Sequence, residues 1–250
     1  MTPALRRIDL SADMGEAETA EHRATEEALW PLITSANVAC GGHAGDPASM
    51  SAALEHSTRH RVAIGAHPSY PDRPNFGRIS LQIDERELIE SLADQIGVLH
   101  GLAAGKGVPL RHVKAHGALY NDAHRDSRLA AALVKAIRLV DPSMAIVAPA
   151  ASKMRDEAYR AGSRVIREAF ADRRYRPDGT LVPRSEPDAL LTDVSEAAAQ
   201  ARSLVEAGTL VAQNGQQIKV EFDTLCVHAD MQDAVVRVKA IRAAIGMRMG

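Results

Sequence analysis

Residues two apart on a β-strand share a face, and in this chain one face is polar again and again. IDLSAD sets Ile8, Leu10 and Ala12 against Asp9, Ser11 and Asp13, and SANVA sets Ala36 and Val38 against Ser35 and Asn37. HVKAH sets Val113 and Ala115 against His112, Lys114 and His116, while TLCVHAD sets Leu225 and Val227 against Thr224, Cys226, His228 and Asp230. Strands of a parallel sheet are ordinarily buried on both sides and read as continuous apolar runs, so a recurrent polar face needs a place of its own. A barrel supplies it: the apolar faces meet an outer helical layer and the polar faces converge on the axis.

The rest of the chain agrees. Strand segments near 8–12, 35–39, 62–66, 111–115, 144–148, 164–169 and 224–227 alternate with helical stripes such as Leu88, Leu92, Ile96 and Leu99, or Val194, Ala198, Ala201 and Val205. Such alternation implies parallel βαβ units. Their even spacing favours a closed or nearly closed β/α barrel of the TIM type over an open doubly wound sheet. No linker or repeat divides the chain, so residues 1–250 are read as one domain. Aromatic residues make up only 3% of the chain, so the core is aliphatic.

Barrel enzymes keep their chemistry at the C-terminal ends of the strands. Those ends carry Asp13; Asn37 with His43 and Asp46; His67; Lys114 with His116; Glu168 with Asp172; and His228 with Asp230. Some of these have simpler readings. Asp46 precedes Pro47 and a helical pattern, which fits an N-cap with proline at N1, and Asp126 and Asp193 read as caps too. Asp9, Asp13, Lys114, His116 and His228 resist that treatment, since burying so many charges together without a purpose is costly.

Other functions are excluded or left aside. A formal net charge of −2 gives no footprint for nucleic acid or an anionic membrane. The opening MTPALRRIDLSADMGE has charge by Arg6 and no apolar stretch of an export signal, so a cytoplasmic protein is expected. GLAAGKG at 101–107 lacks the spacing of a P-loop and reads as a helix end. There is no HExxH and no cysteine set beyond the isolated Cys40 and Cys226. Histidine and aspartate suit zinc or a similar divalent ion, but an ammonium at Lys114 would repel one, so no metal ligands are assigned. Two loops can cover the mouth. HPSYPDRPNFGR (67–78) is stiffened by prolines, and ADRRYRPDGTLVPR (171–184) offers Arg173 and Arg184 as clamps for a carboxylate or phosphate, with Arg174 and Arg176 solvated.

In order, DLSADMGE, SANVACGGHAGDP, GAHPSYPD, FGR, QIG, VKAHGALYN, FADRRY, LVPR and CVHAD closely resemble the LamB/YcsF family, from about Asp9 to the last helix. The resemblance implies a seven-stranded β/α barrel akin to sugar-deacetylase barrels. It also implies the A subunit of a prokaryotic 5-oxoprolinase that works with partner subunits B and C, turning 5-oxo-L-proline, ATP and water into L-glutamate, ADP and phosphate. ATP enters as co-substrate, bound here or mainly by the partners. Under that reading Lys114 holds developing negative charge or grips the substrate carboxylate, and Asp13, His67 or His116 activates water or protonates the leaving nitrogen. Asp9, Asn37, His43, Arg78, Glu168, Asp172, Arg173, Arg184, His228 and Asp230 are expected to bind substrate. The chain departs from the family pattern at Ala115, where proline is usual, at Ala229–Met231 in place of GDN, and in AETAEHRATEE after the first strand. A stand-alone metal-dependent amidase or deacetylase, and a non-catalytic substrate-binding subunit, stay open as alternatives.

Overall fold

A computed structural model of the chain describes residues 8–231 and 233–247; Arg6, on which the expectation of no export signal rested, lies outside the described residues. Seven parallel strands close into a barrel in the order β1-β2-β3-β4-β5-β6-β9. They are β1 (Asp9–Met14), β2 (Ser35–Ala39), β3 (Ala63–His67), β4 (Leu110–Lys114), β5 (Ala145–Pro149), β6 (Val165–Phe170) and β9 (Thr224–Val227). Around them run α1 (Ala20–Leu29), α2 (Pro47–His60), α3 (Glu85–Gly105), α4 (Gly117–Arg125), α5 (Ser127–Val140), α6 (Lys153–Arg160), α7 (Val194–Ala207) and α8 (Ala234–Ala244). Each expected strand is present within two residues of its expected bounds. A short antiparallel hairpin, β7 (Thr209–Val211) with β8 (Gln217–Lys219), was not expected and lies outside the barrel.

Strand parity governs the packing. Leu10, Ala12, Ala36, Val38, Ile64, Val113 and Leu225 are buried outward against the helices. On the inner face the polar side chains bond from strand to strand: Thr224 of β9 donates to Ser11 of the neighbouring β1 at 3.2 Å, and His112 of β4 reaches Asn37 of β2 at 2.9 Å. That second contact crosses β3, which has room for it because position 65 is glycine. A Cβ there would stand 2.2–2.7 Å from the His112 ring.

The helices end where local chemistry dictates. Asp46 caps α2 in a reciprocal box with Ser49 and has Pro47 behind it, an arrangement that typically contributes ~1 kcal/mol. Asp126 and Asp193 cap α5 and α7, and GLAAGKG closes α3. The stripe on α3 faces the core as expected, but on α7 the buried residues are Ala197, Ala201 and Leu204. Of the expected stripe through Val194, Ala198, Ala201 and Val205, Ala201 is buried and the other three are half-buried at the edge of the buried face; alanine-rich stretches define a face weakly. No helix among the described residues is long and apolar enough to cross a membrane.

Candidate active site

A cavity of ≈ 440 Å³ opens at the C-terminal mouth of the barrel, lined among others by Asp13, Glu16, His67, Lys114, His116 and His228. Its centre is the Lys114 ammonium, which is only 2% exposed. It donates to Asp13 Oδ1 at 2.9 Å and to Cys226 Sγ at 3.1 Å. Glu168 Oε1 lies 3.0 Å away, close enough to pair with the ammonium although off the angle of a hydrogen bond. Burial alone would favour the neutral amine, but Asp13, then Cys226 and Glu168, hold the charge and raise the pKa well above the usual lysine value. Burial likewise opposes the Asp13 carboxylate, yet His67 and Lys114 hold it well below the ordinary range.

Beneath this pair lies a floor. Asn37 donates its amide to Asp13 Oδ1 at 2.9 Å, so its own Oδ1 must accept from His112 Nε2 at 2.9 Å. Burial pushes the His112 imidazole down to about 4, leaving it neutral. On the other side Tyr120 donates to Glu168 Oε2 at 2.8 Å and orients that carboxylate toward Lys114.

Facing Lys114 across the mouth is a dyad. His228 Nδ1 meets Asp172 Oδ1 at 2.8 Å, and the His228 backbone N–H donates to Asp172 Oδ2 at the same distance. Asp172 is fully buried, which by itself raises a carboxyl pKa, but the His228 charge and those hydrogen bonds lower it. A depressed folded pKa contributes stability that is present above the unfolded value of about 3.9 and is lost as pH falls through the folded value. Asp172→Asn should therefore lower the urea midpoint near neutrality, and its gap from the parent should close below about pH 4; a gap constant from pH 7 to 3 would contradict this account.

The rim is cationic with one bridging acid. Arg78 Nη2 and Arg184 Nη1 both donate to Asp230 Oδ2, at 2.7 and 3.1 Å. Deeper, Arg173 is buried and donates to the carbonyls of Val182 and Ala189. Burial first, then Arg184, pushes its pKa down to about 10. Among the described residues no carboxylate is within ion-pair distance of Arg173, although the Asp172 charge nearby partly offsets that fall. Arg174 and Arg176 pair with Glu196 and Glu186 at the surface, as solvated residues would.

Loop 67–78 laces the third wall. His67 Nδ1 donates to the Lys114 carbonyl at 2.8 Å, and His116 Nε2 donates to the Phe76 carbonyl at 3.0 Å. Phe76 and Gly77 both have left-handed backbones, and a Cβ on Gly77 would crowd His43, Ser69 and His116 at 3.0–3.2 Å. His43 is fully buried, stacks on His116 at 3.6 Å and meets Glu16 Oε1 at 2.7 Å through Nε2. Burial first lowers the pKa of both His43 and His116, keeping the imidazoles neutral. Burial also opposes charge on His67, but Asp13 raises its pKa. Glu16, His43, His67 and His116 together bring four possible metal-ligating atoms within 4.8 Å of one another.

Of the residues singled out in the sequence, Asp13, His67, Lys114, His116, Arg78, Arg173, Arg184, His228 and Asp230 line the cavity. Asp9 does not belong there. Its parity is right, but it begins β1, four residues and about 13 Å below Asp13, where it accepts from Thr34 and Ser35 at 2.6 and 2.7 Å. Asn37, His43, Glu168 and Asp172 are not among the residues lining this cavity; each bonds a neighbouring side chain of the site. Glu16 was missed. It follows Gly15, whose φ of 76° turns the chain away from strand geometry, so parity gives no direction beyond Met14. The divergent AETAEHRATEE segment forms α1, and its Glu26 accepts from the backbone N–H of Gly15 and Glu16 at 3.0 and 2.8 Å, fixing that turn.

Known proteins carry the same architecture. The 5-oxoprolinase A subunit of Bordetella pertussis is 45% identical over 245 residues, covering 98% of this chain and 96% of that one. That of Methylococcus capsulatus is 44% identical over 243 residues, with coverage of 97% and 94%. The crystal structure of a lactam utilization protein from Thermus thermophilus superposes with a TM-score of 0.88 at 38% identity and covers 96% of each chain. The LamB/YcsF family profile matches residues 8–249, and the chain belongs to that family.

Proposed function

We propose that this chain is the A subunit of an ATP-dependent 5-oxoprolinase, working with partner subunits B and C to open the lactam of 5-oxo-L-proline to L-glutamate at the expense of ATP. The observation that carries the reading is the buried Lys114–Asp13 pair at the base of a cavity whose wall holds the buried Arg173. The names of its relatives support the same chemistry. A cavity of ≈ 440 Å³ suits a small polar substrate.

A five-membered lactam is a weak electrophile because its nitrogen shares electrons with the carbonyl. Transfer of a phosphoryl group from ATP to the carbonyl oxygen removes that protection; one water adds to the carbon, the C–N bond breaks to leave an acyl phosphate, and a second water cleaves that to L-glutamate and phosphate. Arg173, with Arg78 and Arg184 at the rim, takes the substrate carboxylate. Lys114 neutralises the negative charge carried by the phosphorylated carbonyl group while water adds, a role worth most where bulk water is excluded. Asp13, kept ionised by its neighbours, accepts the proton of the attacking water. His228, steadied by Asp172, gives a proton to the leaving nitrogen. ATP use fits a cytoplasmic enzyme.

Reconstitution tests the proposal: the purified chain with subunits B and C should form glutamate and ADP from 5-oxoproline and ATP, and omission of this chain should abolish both products. Absence of glutamate from the complete mixture would refute it. Arg173→Gln should raise the KM for 5-oxoproline ~10- to 100-fold with a smaller change in kcat, the loss expected for one charge-assisted contact of about 1.5–3 kcal/mol. An unchanged KM would remove Arg173 from the carboxylate site.

A further inference from the structure

The ring protons of His67 and His116 are already committed. A carbonyl oxygen can only accept, so His67 Nδ1 and His116 Nε2, which face the carbonyls of Lys114 and Phe76, must each carry the hydrogen. The opposite nitrogen of His116, whose ring burial keeps neutral, is then bare, and that of His67 faces it as the position left for a proton or an ion. These two, His67 Nε2 and His116 Nδ1, point at each other across 3.0 Å. Glu16 Oε1 joins them at 3.4 Å from His116 Nδ1 and 3.8 Å from His67 Nε2. Three electron-pair donors in one buried spot repel unless positive charge lies between them.

We infer that Glu16, His67 and His116 form a binding site for one divalent first-row transition ion of the zinc class. The distances carry this. Ligands about 2.0–2.1 Å from a tetrahedral ion stand roughly 3.3 Å apart, and the three edges of 3.0, 3.4 and 3.8 Å bracket that figure. Two imidazoles and a carboxylate are a borderline donor set that suits zinc, cobalt, nickel or manganese rather than calcium or magnesium. Backbone carbonyls on the far ring nitrogens are the second layer that orients ligating histidines. His43 is a positioning residue: it stacks on His116 and bonds Glu16.

Lys114 does not stand in the way of such an ion. Its ammonium is held by both Asp13 oxygens, at 2.9 Å from Oδ1 and 3.3 Å from Oδ2, and by Glu168 Oε1 at 3.0 Å, so two carboxylates answer its charge, while Asp13 Oδ2 also lies 3.3 Å from His67 Nε2. Glu16, His67 and His116 also line the cavity, leaving the fourth position open to water as catalytic sites do. Such an ion lowers the pKa of its water, next to the carboxylate assigned as base. That catalytic use rests on the oxoprolinase reading; the binding does not.

The test is made on the purified full chain, stripped with chelator and titrated with Zn²⁺ and Co²⁺ alone. One ion per chain should bind, and Co²⁺ should give the visible bands of a four- or five-coordinate centre. Glu16→Gln and His116→Ala should each weaken binding at least ~100-fold, and His43→Ala ~10- to 100-fold. His56→Ala/His60→Ala, which removes a stacked histidine pair on α2, should leave it unchanged. No stoichiometric binding by the parent chain, or binding undiminished in folded Glu16→Gln, would overturn the site and mean that a proton bridges the two histidines. Glutamate formation is scored separately. Stripped protein that turns over fully with B and C while binding no ion refutes the site and keeps the oxoprolinase; an ion bound with no glutamate formed does the reverse.

Discussion

Lys114→Ala is expected to abolish glutamate formation, with a fall of at least ~10²–10³ in kcat, the scale seen when a group that stabilises transition-state charge in a dry site is removed. It should also cost about 3–5 kcal/mol of stability, because it leaves the carboxylates of Asp13 and Glu168 buried without their shared counter-charge. The two effects are separable. Asp13→Asn/Lys114→Met strands one charge fewer, so its urea midpoint should recover toward the parent while activity stays absent. Activity within tenfold of the parent in a folded Lys114 variant would eliminate the lysine from the chemistry. Arginine is no substitute: its fork needs more width than one side chain's space between Asp13, Cys226 and Glu168 provides.

Asp13→Asn should reduce kcat by ~10²–10⁴ with little change in KM, as expected for the loss of a general base. Stability should suffer less than in Lys114→Ala, since Glu168 still neutralises the ammonium. The amide is the same size and still accepts through one oxygen, but its NH₂ cannot take a proton from water. Measurement of glutamate release and of unfolding by urea on the same preparations decides the point. A variant as stable as predicted and still turning over at a tenth of the parental rate would move the base elsewhere, with His67 next in line.

The barrel was legible because its interior is written at alternate positions. Ser11, Asn37, Lys114 and Cys226 needed only parity to be placed on the axis. Parity says which face, not which height: Asp9 shares the face of Asp13 yet stands near the opposite end. It also stops at the last strand residue. Glu16, His43 and Phe76 lie in turns whose course depends on left-handed residues and on bonds to distant backbone, and no periodicity in the chain encodes those. The resemblance to LamB/YcsF proteins named the loops as motifs without giving their shape. The β7–β8 hairpin escaped for another reason. Its strands are three residues each, below the length at which alternation can be seen.

The glycine in β3 also decides how the site meets solvent. Because position 65 yields its volume to His112, and that ring is tied to Asn37 directly under Asp13, the barrel is plugged just below its chemistry. The site is thus a cup rather than a channel. Arg78, Asp230 and Arg184 form a lip on that cup, so a protein seated there would meet substrate and product on their way past it.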